Sequence, residues 1–426
     1  MNNRMTIIEY ERVYRKGDNS ISALQFDKVE EFILQNIDNN GERLLNLGAD
    51  AKGKYFSALN YVGIIQLKDG FTIEILPKIT SGYDEDICRI VFLKMLAATV
   101  NINYKISDLA DLGTHKDNLL EVFISMFLDE AEKLIQRGLR SGYTEFTGNE
   151  YFFKGRLNIS QNIRDNLIHK ERFNVTYDVF NTDRSENRLI RSTLDKLRRL
   201  SGDPANQRRI LRAVQMMEEI PLSNNYDADF ARCALDRNMS GYATILAWSK
   251  VFLKNKTFTS YNGDSIAYAL LFPMEKVFES FVAQQVKRYC TDYDVYTQSK
   301  RKYLFDNKFM LLPDIVLEKS HKTMCIIDTK WKILNNNPND NYGISQADMY
   351  QMFAYAKKFS CSSIVLCYPE PGNNKQYKPY TDGDITVNIK TIDLSLLKSE
   401  DSIDKTKKMI ESLVCIKADQ EENNIE

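Results

Sequence analysis

The stretch LLPDIVLEKSHKTMCIIDTKWKIL at 311–334 constrains this chain more than any other. Two apolar runs of strand length flank the polar residues 319–322, so an antiparallel pair joined by a tight turn is expected. Residues two apart on a strand share a face, so Asp328 and Lys330 point together while Thr329 points away. Pairing across the turn then brings Asp314 near Asp328. Two carboxylates converging at a sheet edge raise each other's pKa and cost stability. A divalent cation removes that penalty, and oxygen ligands of this kind suit Mg²⁺, which keeps several waters and shares its remaining positions with a phosphate. Such an ion lowers the pKa of a bound water and neutralises charge developing on the scissile phosphate. Lys330 would orient that water or stabilise the pentacovalent oxyanion.

Two flanking segments extend the pattern. Downstream, DMYQMFAYA sets Gln351 and Tyr355 four apart on one helix face. Upstream, FPMEKVFESFV reads as a helix carrying Glu279, with Glu275 one turn earlier on the same face as an alternative. Taken singly, each has an ordinary reading: packing residues on a helix, a solvated charge, a local ion pair. Their order and spacing together argue against it.

The succession P-D, spacer, D-x-K, then Q-x-x-x-Y resembles the PD-(D/E)XK nuclease superfamily and its RecB-like members. FKGRLNISQNIR, FNTDRSENRLIRSTL, LLPDIVLEKSHKTMCIIDTKWK, MYQMFAYA and IVLCYP, in this order, resemble the McrC subunits of McrBC-type modification-dependent restriction systems. VGIIQLKDGFTIEILPKI is similar to an amino-terminal segment of many longer members, so the likeness runs from about residue 58 to 393. What the resemblance implies is a Mg²⁺-dependent DNA endonuclease in which Asp314 and Asp328 bind metal, Glu279 is an auxiliary ligand, Lys330 assists the water, and Gln351 and Tyr355 position the sheet edge or the DNA backbone. It implies a partner as well: an AAA+ GTPase, McrB-like and hexameric, that recognises methylated double-stranded DNA while the nuclease subunit docks on the ring and stimulates its hydrolysis. The first fifty-odd residues match no motif of that family.

No phosphate loop competes with this division of labour. GADAKGKY at 48–55 has the glycine and lysine spacing, but Tyr55 stands where a magnesium-binding hydroxyl is needed and the following residues head into a strand. The seven cysteines are odd in number and lack a CxxC, and the three histidines, His115, His169 and His321, are scattered. Neither a disulfide framework nor a zinc site is expected. A net charge of −1 confines any DNA contact to local basic surfaces, such as SKRK at 299–302. Apolar runs are broken by charge too soon for a membrane span, and no secretory signal is read at the start, so a cytoplasmic location is expected.

With 426 residues, two or three domains are expected. Segments 61–67 and 71–76 form a hairpin around Asp69-Gly70, and 118–139 is an amphipathic helix. A second hairpin is expected to turn near Thr147-Gly148-Asn149. With Arg137, Arg140, Lys154 and Arg156 close by, it is the candidate for insertion toward the ring pore. Alternatively, Arg156 and Glu186-Asn187-Arg188 form a buried polar network. The polar stretch 254–265 marks the best boundary. Beyond it come a helix at 272–290, three or four strands over 293–330, a helix at 345–359, and strands at 363–368 and 385–393. The predicted fold is mixed α/β: an α+β docking region over 1–255, a PD-(D/E)XK domain over 262–415 with a mixed sheet flanked by helices, and an acidic tail at 416–426. Two rival functions stand beside the nuclease subunit: a non-catalytic assembly factor that activates an NTPase ring, and a self-sufficient repair or recombination nuclease.

Overall fold

The computed structural model describes residues 4–17, 19–35, 45–67, 69–79, 85–99, 119–233, 240–254, 266–298, 301–370, 376–398 and 402–414. It is a mixed α/β fold that divides into two compact units, residues 1–116 with 260–426, and residues 117–259. The grouping differs from a continuous amino-terminal region through 255, because the first hundred residues pack with the carboxy-terminal part. All of the expected boundary at 254–265 except Lys254, and the tail at 416–426, lie outside the described residues.

In the first unit, strand Ile266–Pro273 explains that grouping. It pairs antiparallel with Tyr61–Leu67, completing a four-stranded sheet with Thr72–Leu76 and Arg4–Ile8. The close approach needs Gly63: its φ is +144°, and a Cβ there would sit 2.0 Å from the Leu270 carbonyl oxygen. Pro273 then leads directly into helix Met274–Tyr289, which carries Glu279. An amino-terminal sheet is thereby joined to an element of the candidate site by chain continuity. The GADAKGKY stretch is strand Leu45–Asp50 turning into strand Gly53–Ala58, with no helix for a phosphate to meet.

The second sheet of this unit has six strands, in the order Asp294–Thr297, Ile315–Lys319, Lys322–Thr329, Ser363–Glu370, Ile385–Asp393, Tyr380–Asp382. Lys322–Thr329, Ser363–Glu370 and Ile385–Asp393 run parallel, and the outer pairs are antiparallel. The expected tight turn is present, with Ser320 and His321 at φ of 52° and 63°, the left-handed pair that a two-residue hairpin loop requires. Register places Ile315 opposite Ile327, so Asp314 leaves its strand beside Asp328. Helix Gln346–Phe359 makes the crossover between the two central parallel strands. Ser345 caps it by accepting from the Asp348 N–H at 3.1 Å, and Met352, Tyr355 and Phe359 bury against Val316, Ile326 and Ile364.

The unit 117–259 combines helices, including Leu119–Arg137, Ser185–Leu200, Pro204–Met216 and Ser240–Lys254, with a three-stranded antiparallel sheet. Thr147-Gly148-Asn149 is not a turn: Gly142–Glu150 is one continuous strand, and these three residues pair with Thr176, Val175 and Asn174 of strand Phe173–Asn181. The glycine is read as turn chemistry from sequence, but unbroken pairing with Phe173–Asn181 before and after it keeps the backbone extended. A polar network does form, centred on fully buried Asn187, which donates to the Arg140 and Thr182 carbonyls and accepts from the Tyr242 hydroxyl. Arg184 pairs with Glu186 and Arg188 with Asp183, whereas Arg156 is exposed. No helix among the described residues is long and apolar enough to cross a membrane.

Candidate active site

The site lies where strand Lys322–Thr329 ends. Its backbone continues through Lys330, whose N–H donates to the Cys367 carbonyl at 2.9 Å, and this fixes the direction in which the lysine leaves the sheet. Alternation sets Asp328 and Lys330 on the side of helix Gln346–Phe359. Lys330 Nζ is 2.9 Å from Asp328 Oδ2, 3.1 Å from Gln351 Oε1, to which it donates, and 3.6 Å from Asp348 Oδ1. The Gln351 amide in turn donates to the Tyr355 hydroxyl at 2.7 Å, and that hydroxyl donates to the Leu312 carbonyl at 3.3 Å. The Q-x-x-x-Y element thus buttresses the lysine and ties it to the chain just before Pro313-Asp314.

Asp314 enters from the opposite strand. Its Oδ2 accepts from the Thr329 N–H at 2.8 Å and from the Thr329 hydroxyl at 2.7 Å. Thr329 was expected to face away. At the strand's last residue its hydroxyl instead turns to the neighbouring carboxylate. Glu279 accepts from Lys276 at 2.8 Å and from the Gln298 amide. It faces Asp314 closely enough to oppose its ionisation, whereas Glu275 is exposed on the rim.

Asp314, Asp328, Lys330, Glu279, Glu275, Gln351, Thr329 and Asp348 line one cleft of about 660 Å³, together with Tyr10, Lys78, Trp331 and Lys332, whereas Tyr355 is buried and reaches it only through Gln351. Burial pushes the Asp328 carboxyl up to about 7, and the Asp314 charge adds to the shift. Burial and the Glu279 charge likewise raise Asp314, against the opposing hydrogen bonds from Thr329. Burial pulls Lys330 the other way, but Asp328, Asp348 and Asp314 outweigh it and hold the ammonium above its ordinary value. The surrounding acids therefore favour the charged form of Lys330, which suits it to meeting negative charge.

The donor set fits a hard cation in kind. Asp328 Oδ2 is buried and, although within ion-pair distance of Lys330, accepts no hydrogen bond of good geometry. A buried carboxylate oxygen without a directed donor, beside a second carboxylate of raised pKa, is the arrangement a divalent ion stabilises. Among the described residues, however, no three acidic, histidine or cysteine side chains gather as one ligand group. The ligands brought together are thus Asp314 and Asp328, with Glu279 alongside and already engaged by Lys276 and Gln298.

Sequence reasoning missed Thr329 and Asp348. A hydroxyl at a strand end and an acid three residues before Gln351 on the same helix were both visible as signals. Of the SKRK stretch, residues 299 and 300 lie outside the described residues. Arg301 and Lys302 sit at a separate shallow depression near Phe359, where the Lys302 ammonium donates to the Lys358 carbonyl at 2.8 Å.

The family model described as "McrBC 5-methylcytosine restriction system component" matches residues 56–369. Among solved structures, the chain is similar to one in a half-complex from a tetradecameric assembly of Thermococcus gammatolerans McrB AAA+ hexamers with bound McrC. The TM-score there is 0.64 at 18% identity, covering 96% of this chain and 99% of that one. A chain of the Thermococcus gammatolerans McrBC complex aligns with a TM-score of 0.48 at 20% identity, over 68% of this chain and 89% of that one. None of the curated proteins matches. The first structural likeness speaks for the fold. The family match, which spans most of the sequence, shows that the chain belongs to the McrBC family of 5-methylcytosine restriction system components.

Proposed function

We propose that this restriction-system component is the nuclease subunit: a Mg²⁺-dependent DNA endonuclease of PD-(D/E)XK type that acts when assembled with an AAA+ GTPase ring whose hydrolysis it stimulates. The observation that carries this reading is the convergence of Asp314, Asp328 and Lys330 on one cleft, with both carboxylates pushed up by burial and by neighbouring acids. Asp314 and Asp328 would hold the ion, and Glu279 would reach it directly or through water. When bound, Mg²⁺ supplies Lewis-acid polarisation of the scissile phosphate and a more acidic water. Lys330, held cationic, orients the attacking water or stabilises the charge that builds on the phosphate oxygens. Gln351 fixes the ammonium, Tyr355 fixes Gln351, and Thr329 holds the Asp314 carboxylate.

The partner reading rests on the family match and on the neighbour whose chain is in an assembly of McrB AAA+ hexamers with bound McrC. The three-stranded sheet of the unit 117–259 and the segments that connect its strands offer a surface suited to docking. Tyr143, Tyr151, Phe153, Ile168 and Phe180 are each more than half exposed, and Lys154 lies over the Tyr177 ring at 4.5 Å. Exposed apolar side chains in such numbers mark an interaction surface more often than a bare face. Double-stranded DNA carrying 5-methylcytosine would be the substrate.

The test is to purify the full chain with its GTPase partner and incubate the assembly with Mg²⁺, GTP and plasmid methylated at cytosine C5. Cutting of methylated but not unmethylated plasmid, lost in Asp314→Ala and Lys330→Ala assemblies that still hydrolyse GTP at the stimulated rate, is the expected result. Undiminished cutting in those variants would overturn the assignment. Stimulation without any cutting by the unsubstituted assembly would favour a non-catalytic activator, and cutting by the chain alone without nucleotide a self-sufficient nuclease.

A further inference from the structure

Glu9 is 2% exposed although it carries a carboxylate. It follows strand Arg4–Ile8, and its N–H donates to the Leu76 carbonyl at 3.0 Å, so it emerges from the amino-terminal sheet beside Pro77 and Lys78. Its Oε2 accepts the Lys78 N–H at 2.9 Å. The Trp331 indole N–H lies 3.2 and 3.1 Å from the two carboxylate oxygens. Burial pushes the Glu9 carboxyl up to about 7 against these donors. An apolar residue would pack there more easily, so the acid is present for what it holds.

What it holds is the residue next to Lys330. The Trp331 ring also packs on Phe278 at 5.4 Å between centroids, and Phe278 precedes Glu279. One indole thus touches the residue flanking Glu279 and adjoins the lysine, while Glu9 fixes its orientation from a segment 322 positions away. The next residue, Tyr10, has φ of 67°, a left-handed conformation that a residue with a Cβ adopts only when its surroundings enforce it. That turn lets Tyr10, more than half exposed, line the same cleft.

We propose that Glu9 is a positioning residue of the nuclease centre: carried in on the amino-terminal strand, it clamps the Trp331 indole and thereby fixes the backbone from which Lys330 projects. This rests on the reading of Lys330 as a catalytic group. It gives the first eighty residues, which the sequence assigned to docking alone, a share in the cutting site.

The test uses the full chain assembled with its GTPase partner, cutting methylated plasmid. Glu9→Ala should lower kcat by about tenfold with KM within about twofold, since misplacing a catalytic group slows the chemical step more than binding. Glu9→Gln, which keeps an acceptor for the indole, should stay within about threefold of the unsubstituted assembly, and Trp331→Phe should match Glu9→Ala. The double variant should be no slower than either single one, as expected for two groups acting through one contact. The chain has two tryptophans, so in a Trp248→Phe background Glu9→Ala should also shift Trp331 emission to the red. Multiplying losses, an unchanged kcat, or an unshifted emission in an assembly that cuts would overturn the clamp. Failure of the unsubstituted assembly to cut would overturn the nuclease reading instead, with the emission still showing whether Glu9 holds the indole.

Discussion

Two buried carboxylates on two sheets of the same unit behave in opposite ways. Glu74, on strand Thr72–Leu76, is fully buried. It is met by the Arg89 guanidinium through two bonds of 2.9 Å, one to each oxygen, and by Arg4. Burial raises its pKa, but the two arginines overcome that and hold it below the ordinary carboxylate range. Asp328, 2% exposed, has one ammonium at ion-pair distance, no directed hydrogen bond to Oδ2, and a second carboxylate beside it, and its pKa rises to about 7. Two arginines compensate Glu74 in full, whereas Asp328 is left with one ammonium and a second carboxylate beside it. Such incomplete compensation is a better pointer to function than burial alone.

The contrast breaks first at catalysis. Asp328→Asn should reduce plasmid cutting by the assembly on the order of a thousandfold, while GTP hydrolysis stays stimulated. The equivalent change in the other sheet, Glu74→Gln, should leave cutting per folded molecule intact. It should instead lower unfolding free energy by about 3–5 kcal/mol in urea titrations, because it strands two buried or half-buried guanidinium groups. Equal effects of the two variants on both readouts would erase the distinction.

A smaller effect runs in the opposite direction. A carboxyl raised from its ordinary value to about 7 contributes stability that is present at low pH and is lost as pH rises through about 7. In chelator-treated protein, Asp328→Asn should therefore be more stable than the unsubstituted chain by roughly 1–2 kcal/mol at pH 8, a gain that shrinks toward pH 4. Glu74→Gln should show no such gain at either pH. Smallest of all, Tyr355→Phe removes the hydroxyl linking Gln351 to the Leu312 carbonyl. It should slow cutting by about tenfold and lower stability by about 1 kcal/mol. No change in cutting would mean that the helix does not steer the lysine.

Much of the site was legible because strand and helix periodicity act locally. Asp328 and Lys330 share a face two residues apart, Gln351 and Tyr355 share one four apart, and an obligatory tight turn at Ser320-His321 brings Asp314 across. The same alternation rule misassigned Thr329, since it governs residues inside a strand and not the one where pairing ends. Thr147-Gly148-Asn149 was misread for a related reason: turn-forming residues lose to cross-strand pairing when a partner strand lies alongside. Strand Ile266–Pro273 went unseen behind a polar stretch, and with it went the union of the first hundred residues with the unit that carries the six-stranded sheet. The Glu9 contact to Trp331 could not be read at all, because nothing local in either segment refers to the other.

The most direct test of the account is thermal unfolding of the full chain at pH 8 as Mg²⁺ is titrated in. If Asp314 and Asp328 form a cation site, Tm rises with Mg²⁺ in the unsubstituted chain and in Glu74→Gln, and stays flat in Asp314→Asn and Asp328→Asn. A flat Tm in the unsubstituted chain, or an equal rise in Asp328→Asn, would contradict it.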